Sequence, residues 1–295
     1  MSGRVGALID SSLRHAWAFH ELPWQVDVDP ERDSFSGQSF FAEGLRSFRA
    51  MSLPQRRSFV FRETCFHLSN LLAGERSGET LVAQVLVLTA RERAGHREFL
   101  AIMAQEEAKH FLALQRYLSE KAGVLYPPCG KLRSALAAVE SCASPEVKLL
   151  IGQVVFEWTA ASLVSTLLIR SREPLLTALL RVNLKDEARH LAYSQELREP
   201  LAVVLAGGVP REMEDLVFES VRASVAALLA EPVWGELGLE GRKMRTHALE
   251  RLERLGVMQR YRELIPTQLE RCGFPVDRLK RRLGRGLTKG LAADG

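Results

Sequence analysis

Cysteine is scarce in this sequence, and none of it is arranged for chemistry. The four cysteines, Cys65, Cys129, Cys142 and Cys272, form no CxxC pair and stand in no secretory context, which argues against a disulfide frame or a thiolate zinc site. No uninterrupted apolar run reaches the roughly eighteen residues a bilayer span requires. The N-terminal stretch mixes acids, histidine and tryptophan instead of forming a signal peptide, so a cytoplasmic protein without membrane association is expected. Charge of one sign is also lacking. The formal charge is +4 with a pI near 9.0, and the basic residues are spread among nearly as many acids, which does not indicate nucleic-acid binding. Neither a strand-like alternation nor a nicotinamide or flavin fingerprint is present.

What is present is helical periodicity. Residues 1–54 carry short apolar pieces broken by Pro23, Pro30, Gly37 and Gly44, and read as an irregular arm with one or two short helices that wraps the remainder. Leu68, Leu71, Leu72, Val82 and Leu86 recur at three and four, predicting a long helix over 55–93. The polar interval RERAGHRE turns the chain, and a second helix follows over 97–121 until Gly123, Pro127, Pro128 and Gly130 stop it. After a short helix over 132–139, Ser144 as cap and Pro145 in the first turn start a third long helix reaching 170. Ser171 is a candidate cap for a fourth, which extends to 197, where Glu199-Pro200 marks a boundary. Two hairpins of long helices predict an all-α four-helix bundle over 55–197. Residues 198–295 continue helical, over about 210–230 and 241–255, and pack on the bundle within a single domain. Arg278, Lys280, Arg281, Arg282, Arg285 and Lys289, set among glycines, read as a solvated or frayed basic tail.

Two segments stand apart: Glu106-Glu107-Ala108-Lys109-His110 and Asp186-Glu187-Ala188-Arg189-His190. Each sets a Glu and a His three residues apart, on one helix face and one turn from each other. A single such pair is ordinary on a helix, but the same pattern occurs in both hairpins. Each hairpin also offers a further Glu about thirty residues upstream. In the second hairpin it is Glu157, inside VVFEWTAASLV, where an unpaired carboxylate would be too costly to bury without compensation. In the first it is Glu75 or Glu79. Glu75 precedes Glu107 by thirty-two residues and Glu79 by twenty-eight, against thirty between Glu157 and Glu187; Glu75 is preferred, with Glu79 as a neighbouring acid or shifting ligand. Four carboxylates and two imidazoles converging in a bundle suit two divalent irons or manganeses, whereas zinc prefers fewer and softer ligands. Glu106 and Asp186 are placed to take the spare ring N–H of the histidines, Asp186 from His110 and Glu106 from His190.

The doubled arrangement of an upstream Glu followed by D/E-E-x-K/R-H resembles the ferritin-like diiron oxygenases. These include the p-aminobenzoate N-oxygenase group, acyl-carrier-protein desaturases, the ribonucleotide reductase small subunit and bacterial multicomponent monooxygenases. The resemblance spans 55–197 and implies a ferritin-like bundle with metal ligands at Glu107, His110, Glu157, Glu187, His190 and one first-helix Glu. It further implies two irons, O2 as co-substrate, a small organic substrate and an external electron donor, with a homodimer as a common assembly. Amine N-oxygenation or hydroxylation is favoured over desaturation or C–C cleavage; a ferroxidase and a non-catalytic helical binding protein are the other readings. Two departures narrow the chemistry. Leu114 stands where ribonucleotide reductase has its radical tyrosine, and Asn183 where the N-oxygenase group has an additional histidine, although Asn183 still faces the site. His67 reads as a core histidine, Trp158 and Tyr193 as packing, and His15, His20, His96 and His247 have no ligand spacing.

Overall fold

The computed structural model describes residues 3–30, 38–89, 95–289 and 291, whose regular secondary structure is all helical, with no strand among them. The expected break at Gly37, the end of the first long helix at 93 and the first half of the RERAGHRE turn lie outside the described residues.

The arm contains two short helices, within the one or two that its broken apolar pieces predict. Helix α1 (Arg4–Arg14) packs on the second and fourth long helices, and after a short 3-10 turn the five-residue α2 (Arg46–Ala50) buries Phe48. Helix α3 (Leu53–Thr89) and α4 (His96–Arg116) form the first hairpin, the second of them starting after Gly95 at φ 89. Contacts between Gly78 and Glu107 and between Glu75 and His110 show the pair running antiparallel, one number rising as the other falls. A π-helical turn at Tyr117–Ala122 ends α4 at Gly123 (φ 63), and α5 (Gly130–Glu140) follows.

The second hairpin begins as its capping signal predicts. Ser144 Oγ accepts from the Val147 amide at 3.3 Å with Pro145 in the first turn of α6 (Pro145–Leu150). A π-helical stretch, Ile151–Phe156, links α6 to α7 (Glu157–Arg170), and α8 (Pro174–Tyr193) returns alongside. The cap of α8 is Glu173 and not Ser171: its carboxylate accepts from the amides of Leu175 and Leu176 at 2.8 and 2.6 Å, and two acceptors on one ion outcompete a hydroxyl. The segment Pro145–Arg170 is long and apolar enough to cross a membrane by length and composition, but 56% of its most apolar window is buried inside the protein. The two hairpins touch through α3 with α7 and α4 with α8.

Beyond α8 the chain passes through a 3-10 turn, Ser194–Leu197, where the helix was expected to end, into α9 (Arg198–Val204), whose first turn accommodates Pro200 because that turn needs no amide donor. Helices α10 (Arg211–Ala226), α11 (Glu231–Glu236), α12 (Gly241–Arg254) and α13 (Val257–Arg271) cover the bundle. The basic tail is not frayed. It forms α14 (Asp277–Gly286), burying Leu279 and Leu283 while Arg282 bonds Asp215 at 2.5 Å and lies 4.2 Å over the Phe218 ring. Its leucines recur every four residues, a pattern its arginines obscure in the sequence. One apolar core extends from Val5 to Leu291 and includes residues of the arm, both hairpins and the C-terminal helices.

Candidate metal centre

The inner faces of the two hairpins meet at six buried ligand-type side chains. Helix α4 contributes Glu107 and His110, α8 Glu187 and His190, α3 Glu75, and the first turn of α7 Glu157; none is more than 8% exposed. They divide into two groups, Glu75–His110–Glu187 and Glu107–Glu157–His190, each with three ligand atoms within 4.8 Å of one another. The motif glutamates cross over, so each joins the histidine of the opposite hairpin. Glu187 reaches both: its Oε1 is 3.6 Å from His110 Nδ1 and its Oε2 is 3.6 Å from His190 Nδ1. The imidazole centroids are 6.2 Å apart.

Each histidine has its outer nitrogen occupied. His110 Nε2 lies 3.0 Å from Asp186 Oδ2 and His190 Nε2 lies 3.0 Å from Glu106 Oε2, the cross-bundle pairs expected from the spacing. An ionised carboxylate there accepts the ring N–H and leaves the Nδ1 lone pair facing the glutamates. His190 Nδ1, Glu107 Oε1 and Glu187 Oε2 are buried without a hydrogen bond, although the first two are only 3.3 Å apart. Inward-facing orphaned acceptors of this kind fit a cation.

The electrostatics agree. Burial alone raises the carboxyls, and with Glu157 and Glu75 as neighbouring charges it holds Glu107 and Glu187 well above the carboxylate range. Burial would lower both imidazoles, but the surrounding acids outweigh it and push them well up. Glu157 is held low despite burial, by hydrogen bonds from its neighbours, Glu187 first. Two divalent cations would balance these carboxylates by displacing their protons. Outside the ligands the acids stay ionised: against the effect of burial, His110 brings Asp186 down to about 2, and His190 lowers Glu106.

Glu75 is in the cluster and Glu79 is outside it. Asn183 Nδ2 donates to Glu75 Oε1 at 3.0 Å, which gives Asn183 a bracing place beside the ligand, whereas Glu79 is partly exposed and pairs with Arg76 at 3.2 Å. At about 100° per residue, Glu79 is turned some 40° from Glu75 away from Gly78, and Gly78 is the position that faces Glu107. A Cβ on Gly78 would stand 2.9 Å from Glu107 Oε2, so this glycine makes room for the carboxylate.

Several contributors were not anticipated. Arg189 bridges the outer acids, donating to Glu106 Oε1 at 2.7 Å and to Asp186 Oδ1, with its Nε on Ser12 Oγ at 2.8 Å. Its place three residues after Asp186 was a readable signal. Trp17, in the arm, donates from Nε1 to Asp186 Oδ2 at 2.8 Å and lies parallel to His110, centroids 6.3 Å apart; a contact across 169 residues leaves no local trace. Gln153 donates to Glu157 Oε1 at 3.4 Å. The remaining candidates lie elsewhere. His67 is buried among Phe40, Phe41 and Phe66, and burial pushes its ring down to about 3. Trp158 packs edge-on to Tyr261, and Tyr193 packs on Phe99 with its hydroxyl 3.0 Å from His96 Nδ1.

A scan of the chain against protein-family models finds no match, and a search of curated proteins finds no relative.

Proposed function

We propose that this protein is a non-haem diiron carboxylate enzyme of ferritin-like architecture that activates O2 to oxidise a small organic substrate, with amine N-oxygenation or hydroxylation ahead of desaturation. The observation that carries this reading is the pair of buried carboxylate–histidine groups joined through the two oxygens of Glu187. Their four carboxylates match the charge of two divalent ions, and manganese would satisfy the same donors. Two ferrous ions held there would supply the electrons that reduce O2.

The chain's own groups have distinct tasks. Asp186 and Glu106 fix the ring orientation of His110 and His190, and Arg189 offsets their charge so that both acids remain ionised beside the site. Glu75, Glu107, Glu157 and Glu187 furnish hard oxygen donors whose protons leave as metal enters. Leu81, Val82, Phe156 and Ala160 form the apolar part of the lining of a cavity beside them. Replacement electrons come from outside the chain, which has no nucleotide-binding fingerprint.

The test is anaerobic reconstitution with ferrous iron, followed by elemental analysis and visible spectroscopy on adding O2, beside the double variant Glu107→Ala, Glu187→Ala. About two irons per chain in the parent, a transient visible band, and neither in the variant are expected. Iron absent from both proteins would defeat the reading. Sustained oxidation of excess ferrous iron with no organic substrate would assign iron handling instead.

A further inference from the structure

The cavity beside the carboxylates has a polarity that metal binding does not use. It lies between α3 and the π-helical stretch before α7, and its volume of about 40 Å³ has room for about three water molecules. The lining includes one basic residue, Lys148, only 6% exposed. Its ammonium donates to the Glu140 backbone carbonyl at 2.7 Å and to Gln84 Oε1. An ammonium carries three N–H groups, so one is unused. Among the described residues no carboxylate lies within ion-pair reach of it; that of Glu140 is turned to Ser77 Oγ at 2.6 Å.

A buried cation without a counter-charge is costly. The four glutamates of the centre do not remedy this once divalent ions have balanced them, because Lys148 is then the remaining unbalanced charge in the cavity. Further along the same wall, Gln153 is 2% exposed and its Oε1 has no hydrogen-bond partner, while its amide nitrogen is on Glu157. Lys148 thus brings an unmatched positive charge to the cavity lining, and Gln153 an unpaired neutral acceptor beside Glu157, with Leu81, Leu149 and Phe156 also on the lining.

We infer that the cavity binds a short organic acid, its carboxylate on Lys148 Nζ and a hydroxyl or amine N–H of the same molecule directed to Gln153 Oε1. This rests on the metal-dependent reading above and names the substrate class for that site. The size of the cavity limits the acid to a few heavy atoms, and the anionic end sets its orientation relative to the carboxylate cluster.

The probe is propionate, compared with propionamide of the same shape, titrated by saturation-transfer NMR into protein loaded with zinc as a diamagnetic stand-in. Parent protein, Lys148→Met and Lys148→Arg are measured, with zinc content and melting temperature recorded for each. The expected result is propionate binding that weakens about tenfold or more in Lys148→Met, is largely kept in Lys148→Arg, and exceeds propionamide binding in the parent. Equal propionate affinity in parent and Lys148→Met, or no preference for propionate over propionamide in the parent, overturns the inference; if Lys148→Met does not fold, Lys148→Gln takes its place, because bound zinc itself favours propionate over propionamide. Failure to take up metal removes the functional reading itself, whereas metal uptake without propionate preference removes only this assignment.

Discussion

The two hairpins carry near-copies of one motif, yet their surroundings differ. On α4, Lys109 points outward, its Nζ 4.7 Å from the Trp17 ring centroid and 3.3 Å from the Trp17 carbonyl. At the equivalent position on α8, Arg189 turns inward and joins the acids of both motifs. The upstream glutamates differ likewise: Glu75 is braced by Asn183 from across the bundle, Glu157 by Gln153 in the π-helical stretch just before α7. The two candidate ligand groups thus match in composition while their supports do not. Repetition in the sequence accounts for the first, and the asymmetry arises from what the arm and the π-helical stretch bring against each half.

The asymmetry has measurable consequences. Removing Arg189 as Arg189→Met leaves two buried acids without their shared cation, and breaking a buried pair in this way costs about 3 kcal/mol or more. Lys109→Met removes a partly exposed cation–π contact worth under about 1 kcal/mol. Urea denaturation of the two variants should show this gap, and equal losses would mean the halves are supported alike.

A buried acid outside both hairpins' ligand sets provides the control. Glu63 receives the Ser39 hydroxyl and the Phe40 amide, and burial still pushes it up to about 7. Since this lies above its ordinary value of 4.5, its contribution to stability is complete below about pH 4.5 and is lost as the pH rises through about 7. The difference is worth about 3 kcal/mol at most. Glu63→Gln should therefore flatten the pH dependence of unfolding between about pH 4.5 and 7, with the same flattening whether or not metal is bound. A metal-dependent change would show that Glu63 belongs to the site.

The smallest effect compares two glycines. Gly78→Ala places a methyl 2.9 Å from Glu107 Oε2, while Gly152→Ala on the second hairpin meets only Leu81 Cδ1 at 3.7 Å, an ordinary contact. Metal affinity should fall several-fold in the first variant and stay within error in the second, although both changes favour helix by under about 1 kcal/mol. Comparable affinity in both variants would show that Glu107 moves freely.

Much of the candidate site was legible because its acid–histidine pairs are spaced by one helical turn. Glu107 with His110 and Glu187 with His190 are each fixed by one helical turn, and Glu157 announced itself as an acid within an apolar run. Ser144 and Pro145 marked a helix start by local hydrogen bonding. Glu75 against Glu79 was not decided this way, since both spacings fit a hairpin and only the rotation of α3 against α4 turns one inward. The docking of α14 was concealed by its arginines, which snorkel past Phe218 while the leucines beneath them pack.

Composition and periodicity, which act over a turn or two of chain, therefore determined that this protein is helical and which motif residues share a face. The tertiary structure decided what depends on distant segments meeting: the choice of Glu75, the crossing of Glu107 and Glu187 between groups, the contact of Trp17 with Asp186, and the isolation of Lys148 beside the cavity. Those contacts span tens to well over a hundred residues, and burial, rotation and counter-charge at such range leave no pattern in the local sequence.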